Sequence, residues 1–213
     1  MRRSMRLRWP GRAAGTGRLP VHLGSFHDMW PAVPSASSSL FSGTASRHGG
    51  LVAKLLVLGV GNSLLADDGA GVHAALELRE RTSARPDITI LDAGTLSFSL
   101  LPALEDADAL IAFDAARSGG RPGELRICEG EDFDRFVQRS GRSVHEVGLA
   151  DLLDMARLSG QLPDKRVLIG VEPQTIDWGL TLSEPVAAAL PQCVDVALDF
   201  IERWQPANTD RAD

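Results

Sequence analysis

Short apolar runs that alternate with amphipathic segments restrict the fold of this chain more than any other feature. The run Leu55–Val60, LLVLGV, contains no polar side chain, which is typical of a strand buried on both faces of a sheet. Comparable, largely apolar runs occupy 88–91, 109–113 and 166–171. Each has the length of a single strand, so these runs predict four strands.

Helical periodicity fills the stretches between these strands. Apolar residues recur at i, i+3 and i+4 within 72–76 and within 149–156, which is the spacing of a helix with one buried face. Pro191 removes a backbone donor from the last apolar segment, so we expect a short turn before it and a longer helix from 191 to about Trp204. The alternation within 124–128 instead predicts an edge strand with one solvated face.

Strands that alternate with helices along a chain are typical of an α/β fold. We therefore expect three layers, α/β/α, around a mostly parallel, twisted sheet of about five strands that carries one antiparallel edge strand. In sheets of this kind, ligands bind outside the carboxyl ends of the strands. A functional site is therefore expected among the residues that follow each strand.

Composition divides the chain into three parts. Residues 1–51 lack a helical or strand period and are rich in Arg, Gly, Pro and Ser. This composition fits a disordered extension, a transit-type segment or a start site assigned too early in the gene. Residues 52–205 are expected to form one domain that carries the functional site, and 206–213 to form a disordered tail.

The charge of the expected domain disfavours several functions. Residues 1–50 hold seven arginines and one acid, a net charge of +6, so the total of −6 leaves −12 on residues 51–213. An acidic domain disfavours general binding of nucleic acid or anionic membranes, and no run reaches the ~18 apolar residues of a membrane helix. The two cysteines, Cys128 and Cys193, lack metal-binding spacing and are expected as buried thiols of a cytoplasmic protein. No long apolar heptad pattern is present, which favours a monomer.

Polar side chains follow the first three strands at the point where each strand ends. They are Asn62, Asp67 and Asp68 after the first, Asp92 after the second and Asp114 after the third, while His145 lies just before the 149–156 helix. Clustered carboxylates repel one another unless a positive charge lies among them. Carboxylate and imidazole are common ligands of divalent metals, and a site with few protein ligands keeps positions open for catalysis.

Each of these residues also has an ordinary interpretation. Asp68 could act as favourable charge in the first turn of a helix, Asp114 as a turn acid after a strand, and His145 as a surface histidine. Asp67 and Asp92 are expected to be structural. Residue type and spacing alone therefore leave both the metal site and these ordinary roles open.

A nucleotide-binding interpretation is disfavoured by the same loop. The sequence GVG at 59–61 resembles the start of a dinucleotide-binding fingerprint, in which Asp92 could contact ribose. The third glycine of that fingerprint would fall at position 64, which is Leu64. Asp67 and Asp68 would also repel a pyrophosphate at the start of the helix.

Six short motifs follow one another in a fixed order along the chain. They are GVGN at 59–62 with DDG at 67–69, DAGT at 92–95, FDA at 113–115, RPG at 121–123, SVHEVGL at 143–149 and GVEP at 170–173. This order resembles the NiFe-hydrogenase maturation endopeptidases over about residues 53–204. Each motif is weak alone, and their common order carries the resemblance.

The resemblance implies a metal-dependent endopeptidase that removes the C-terminal extension of a hydrogenase large-subunit precursor after nickel insertion. The metal ligands of the family, which would also be the catalytic residues, fall on Asp68 of DDG, Asp114 of FDA and His145 of SVHE. Nickel(II) is the implied cofactor and the precursor the implied partner. In one variant the precursor supplies the nickel, and in the other the protease carries its own metal, which activates water.

Three other functions remain compatible with the residues. The first is a chaperone or metal-checking module that binds the precursor without cutting it. The second, weaker alternative is a nucleotide-binding oxidoreductase. The third is a protein of the same fold that acts on another protein or peptide.

Overall fold

A central sheet of five strands organises the chain in this computed structural model, which describes residues 53–95, 98–139 and 148–205. The strands are Leu55–Val60 (β1), Ile88–Gly94 (β2), Ala109–Ala115 (β3), Leu125–Glu129 (β4) and Lys165–Val171 (β5). They lie in the order β2-β1-β3-β5-β4. The segments 1–51 and 206–213, for which disorder was predicted, lie outside the described residues.

The sheet is parallel except at one edge. β1 pairs in parallel with β2 and β3, and β3 pairs in parallel with β5. β4 is antiparallel to β5, which confirms the predicted edge strand. The three inner strands are buried along nearly their whole length, which explains their apolar sequences. Cys128 and Cys193 are buried free thiols, as predicted.

Helices cover both faces of the sheet. They are Ala70–Arg81 (α1), Leu101–Asp106 (α2), Glu131–Arg139 (α3), Leu149–Leu158 (α4) and Glu184–Trp204 (α5). α1 and α5 pack on one face, and α2, α3 and α4 pack on the other, so the predicted three layers are confirmed. α2 and α3 were not predicted from the sequence. Over the described ranges, no helix has the length and apolar character to cross a membrane.

The prediction that Pro191 ends a turn and begins a new helix is wrong. α5 is one helix that contains Pro191, and this proline is exposed. Val186 and Ala189 before it, and Cys193 and Val194 after it, are all buried against the sheet. A proline inside a helix costs about 3 kcal/mol, whereas each large apolar side chain that becomes buried contributes about 1.5–3 kcal/mol. The continuous buried face therefore outweighs the local preference.

The start of α1 lies directly against the ends of β1 and β3 at Gly71. A β-carbon at Gly71 would lie 2.3 Å from the carbonyl oxygen of Val60 and 2.4 Å from that of Phe113. Only glycine permits this approach of backbone to backbone. Because Asp68 lies three residues before Gly71 and Asp114 directly follows Phe113, the contact brings the two candidate ligands to one edge of the sheet.

We predict that Gly71→Ala lowers the free energy of unfolding by about 3 kcal/mol, because the added methyl group must push two backbone carbonyls away. Urea unfolding of the full chain measures this value. Gly179→Ala is the matched control, since a β-carbon there would lie 3.5 Å from the β-carbon of Ala66, an ordinary contact. Equal stability of the two variants would contradict the proposed close packing.

Candidate active site

The turn that follows β1 holds Asp68 at the carboxyl edge of the sheet. Gly61 has a φ of 125°, and a β-carbon on it would lie 1.8 Å from the backbone oxygen of Asp68. The backbone N–H of Asn62 donates to Oδ2 of Asp68 at 2.8 Å. The turn is thus folded tightly around Asp68, whose side chain is partly buried. Glycine at position 61 is required for this geometry.

Asp114 occupies the same crevice at the end of β3. It is the penultimate residue of the strand, lies opposite Gly170 of β5 and is partly buried. Burial raises the pKa of Asp114, the negative charge of Asp68 raises it further, and the backbone N–H of Ala115 lowers it, with a net pKa of about 7. The electrostatic effect of Asp68 on Asp114 means that two of the three predicted ligands lie near each other.

The third predicted ligand, His145, lies outside the described residues. Among the residues that the structure describes, no three or more His, Cys, Asp or Glu side chains are grouped so that they could hold a metal ion. The structure therefore brings Asp68 and Asp114 together, and the role of His145 stays a prediction.

The Asp68–Asp114 pair has the chemistry that a divalent cation requires. Over the described ranges, no lysine or arginine forms an ion pair with either carboxyl group. Two carboxyl groups without a cationic partner repel each other, and this repulsion is visible in the raised pKa of Asp114. Carboxylate oxygens suit a divalent metal, so both residues fit a metal centre.

Asp67 differs from its neighbour Asp68 because its carboxylate is fully buried and fully bonded. It accepts hydrogen bonds from the backbone N–H groups of Gln174, Thr175 and Ser183 and from the Ser183 hydroxyl, at 2.6–2.9 Å. Burial opposes ionisation of Asp67, but these hydrogen bonds are strong enough to lower its pKa below 3.8. Asp67 therefore joins the turn after β1 to the 174–183 loop, which agrees with the structural role expected from the sequence.

Glu172 has a similar role, which was not predicted from the sequence. This buried residue directly follows β5, and its Oε2 accepts hydrogen bonds from the backbone N–H and hydroxyl of Ser118 and from the N–H of Gly120. Burial opposes its ionisation, but the hydrogen bonds from Ser118 and the neighbouring glycines lower the pKa of Glu172 below 4.5. It fixes the loop after Asp114. The sequence feature that could have identified Glu172 is its position in the GVEP motif, directly after a buried strand.

The remaining polar candidates take no part in the carboxylate pair. Asp92 is exposed and accepts a hydrogen bond from the backbone N–H of Gly94, two residues later, at 2.9 Å. This is a local turn contact, in line with the expected structural role. His73, which is not among the predicted ligands, is partly buried on α1.

The sequence and fold have counterparts among known proteins. The family model described as hydrogenase maturation protease matches residues 72–200. The hydrogenase expression/formation protein HupD of Bradyrhizobium diazoefficiens is 38% identical over 152 residues, which cover 71% of this chain and 79% of HupD.

Two solved structures are also similar to this chain. The hydrogenase maturating endopeptidase HybD from E. coli is 32% identical with a TM-score of 0.63, covering 70% of this chain and 93% of that one. The HybD protease from Thermococcus kodakarensis is 30% identical with a TM-score of 0.58, covering 68% and 97%.

We predict that Asp114→Asn stabilises the chelator-treated protein at pH 8. The folded-state pKa of Asp114 is raised from 3.8 to about 7, so its contribution favours folding at low pH and is lost as the pH rises through 7. Removing the charge should raise the free energy of unfolding by about 2 kcal/mol at pH 8, after allowance for solvent screening. The gain should vanish near pH 4.

Urea unfolding at both pH values measures the difference. Asp199→Asn is the control, because Asp199 is exposed on α5, and it should change neither value. If Asp114→Asn gave no greater stability than Asp199→Asn at pH 8, the electrostatic conflict between Asp68 and Asp114 would be refuted.

Proposed function

Because the chain belongs to the hydrogenase maturation protease family, we propose that it removes the C-terminal extension of a NiFe-hydrogenase large-subunit precursor after nickel insertion. The metal of the proposed reaction is nickel(II). We further propose that the protein acts in the cytoplasm as a monomer.

The observation that carries this proposal is the pair of carboxyl groups at the carboxyl edge of the sheet. Asp68 and Asp114 interact electrostatically and lie where ligands bind in folds of this class. Together with His145 they would hold the metal through two oxygen ligands and one nitrogen ligand. The motif SVHE, which contains His145, lies between α3 and α4 in sequence, and the role of His145 is carried by the resemblance of this motif to that of the family.

Residues of this chain would position the metal ligands and transfer the proton that peptide cleavage requires. When bound, nickel supplies Lewis acidity towards the scissile carbonyl group. The N–H of Asn62 bonds one oxygen of Asp68 and so fixes the orientation of its carboxylate. In the metal-free protein the carboxyl group of Asp114 holds or releases a proton near neutral pH, since its pKa is about 7. As a metal ligand Asp114 would be the carboxylate, and one carboxylate of the pair would relay a proton to the leaving amine.

The three proposed ligands explain why cleavage would wait for nickel insertion. Two carboxylates and one imidazole form an incomplete site without a thiolate, which is expected to bind free nickel weakly. A precursor that already holds nickel brings the missing ligands with it. The coordination of the metal is then complete only when the protease binds a nickel-loaded precursor. Cleavage would therefore occur only after nickel insertion.

We predict that Asp68→Ala, Asp114→Ala and His145→Ala each lower the rate of precursor cleavage at least about 100-fold. Loss of residues that only support metal ligands costs about 10–100-fold, and loss of a ligand should cost no less. Mass spectrometry of the incubated precursor measures the released C-terminal peptide. Asp199→Ala and His73→Ala are the matched controls, and both should cleave at the wild-type rate. Full activity of a ligand variant would remove that residue from the site.

We predict that nickel-loaded precursor is cleaved and that nickel-free precursor is not. The physical reason is that only the loaded precursor completes the coordination of the metal. Both forms are incubated with the wild-type protein, and the peptide is again detected by mass spectrometry. Equal cleavage of the two precursors would rule out nickel gating. Absence of any peptide from the loaded form would argue against proteolysis of this precursor altogether.

A further inference from the structure

Three large apolar side chains are exposed on the loops that border the candidate active site. Leu64 is 49% exposed, Trp178 is 81% exposed and Leu180 is 73% exposed. We call these three residues the Trp178 patch. Single exposed apolar residues are common on protein surfaces, but a tryptophan grouped with two leucines is typical of an interaction surface.

The backbone beneath the Trp178 patch is fixed. Leu65 and Gly179 form a parallel β-bridge. The N–H of Gly179 donates to the carbonyl oxygen of Leu64 at 3.0 Å, and the N–H of Ala66 donates to the carbonyl oxygen of Gly179 at 2.7 Å. Both segments of the patch therefore belong to one hydrogen-bonded unit. A tryptophan presented on fixed backbone loses little conformational entropy when it is buried by a partner.

The same unit is joined to the candidate site. Leu64 lies four residues before Asp68 in the turn that follows β1. On the other side, the backbone of Thr175 and of Ser183 donates to the buried carboxylate of Asp67. Leu64 and Asp68 are thus carried by the same turn, and the hydrogen bonds of Gly179 hold Trp178 and Leu180 against that turn. Asp114 lies near Asp68, at the end of β3. A protein that reaches the two carboxyl groups therefore approaches the patch as well.

A protease for a folded protein needs contacts beyond the cleaved bond. Specific protein interfaces bury about 800 Å² on each partner, and a few aromatic and aliphatic residues supply most of their affinity. We infer that the Trp178 patch is the surface on which the precursor docks, through an apolar area of the precursor next to its C-terminal extension. This inference rests on the proposed function.

The test compares truncations inside and outside the patch. Trp178→Ala and Leu180→Ala remove patch side chains, and Leu158→Ala is the matched control. Leu158 is 83% exposed and is the last residue of α4, at the opposite edge of the sheet, because α4 leads into the start of β5. Urea unfolding of each full-length variant first establishes that the fold is intact.

Docking predicts a change in KM and not in kcat. With nickel-loaded precursor, Trp178→Ala should raise KM about tenfold or more and Leu180→Ala about threefold, as for central interface residues. Trp178→Phe should recover most of the loss. Leu158→Ala should leave KM unchanged, and none of the variants should change kcat at saturating precursor. An unchanged KM for Trp178→Ala, or an equal rise for Leu158→Ala, overturns the inference.

Equilibrium binding separates failure of docking from failure of the proposed function. If wild-type protein cleaves no precursor, proteolysis is refuted, but binding of the precursor to wild type and to Trp178→Ala still tests the patch. A tenfold weaker affinity of the variant supports docking, whereas equal affinities, or no binding to either, overturn it. Analytical sedimentation tests whether a second copy of this chain binds at the patch instead. A wild-type dimer that Trp178→Ala dissociates, together with an unchanged KM, assigns the patch to self-association and overturns the inference.

Discussion

The buried carboxylate of Asp67 is the contact on which the architecture of the site depends. A charge removed from water is tolerated only when hydrogen bonds replace its hydration, and Asp67 receives them from Gln174, Thr175 and Ser183. These donors lie in the loop after β5, whereas Asp67 lies in the turn after β1. One ionised group therefore fixes two segments that are far apart in sequence. This contact therefore helps to position the neighbouring Asp68 and the loop that carries the exposed Trp178.

The pKa shifts distinguish the structural acids of this edge from the candidate ligand Asp114. Asp67 and Glu172 are buried among N–H and hydroxyl groups, and the pKa of each is lowered. Asp114 is partly buried and lies near another acid, and its pKa is raised to about 7 although the N–H of Ala115 bonds to it. A carboxyl group that accepts several hydrogen bonds is stable as an anion without any cation. A carboxyl group whose pKa stays raised would gain more from a cation, so the balance of hydrogen bonds and charge differs between the structural acids and Asp114.

The sequence predicted the sheet and the pairing of Asp68 with Asp114, because both follow from local patterns. Buried strands have continuous apolar sequences, and parallel strands bring their carboxyl ends to one edge. The prediction that a new helix begins at Pro191 was wrong, because α5 is buried against the sheet both before and after this proline. The free energy of that burial outweighs the tendency of proline to end a helix. The donors to Asp67 could not be foreseen, since Gln174 lies 107 residues away in sequence. The proposed role of His145 still rests on its motif alone.

The raised pKa of Asp114 would couple protonation to any metal that the proposed site holds. A pKa of about 7 places the change between the acid and the carboxylate form near neutral pH, and a metal ligand must be the carboxylate. If Asp114 is a ligand, acidification would compete directly with metal binding, and binding would release a proton. Calorimetry in buffers of different ionisation enthalpy would register that proton as a buffer-dependent heat. The metal content of the crevice would then depend on the acidity of its compartment as well as on the supply of metal.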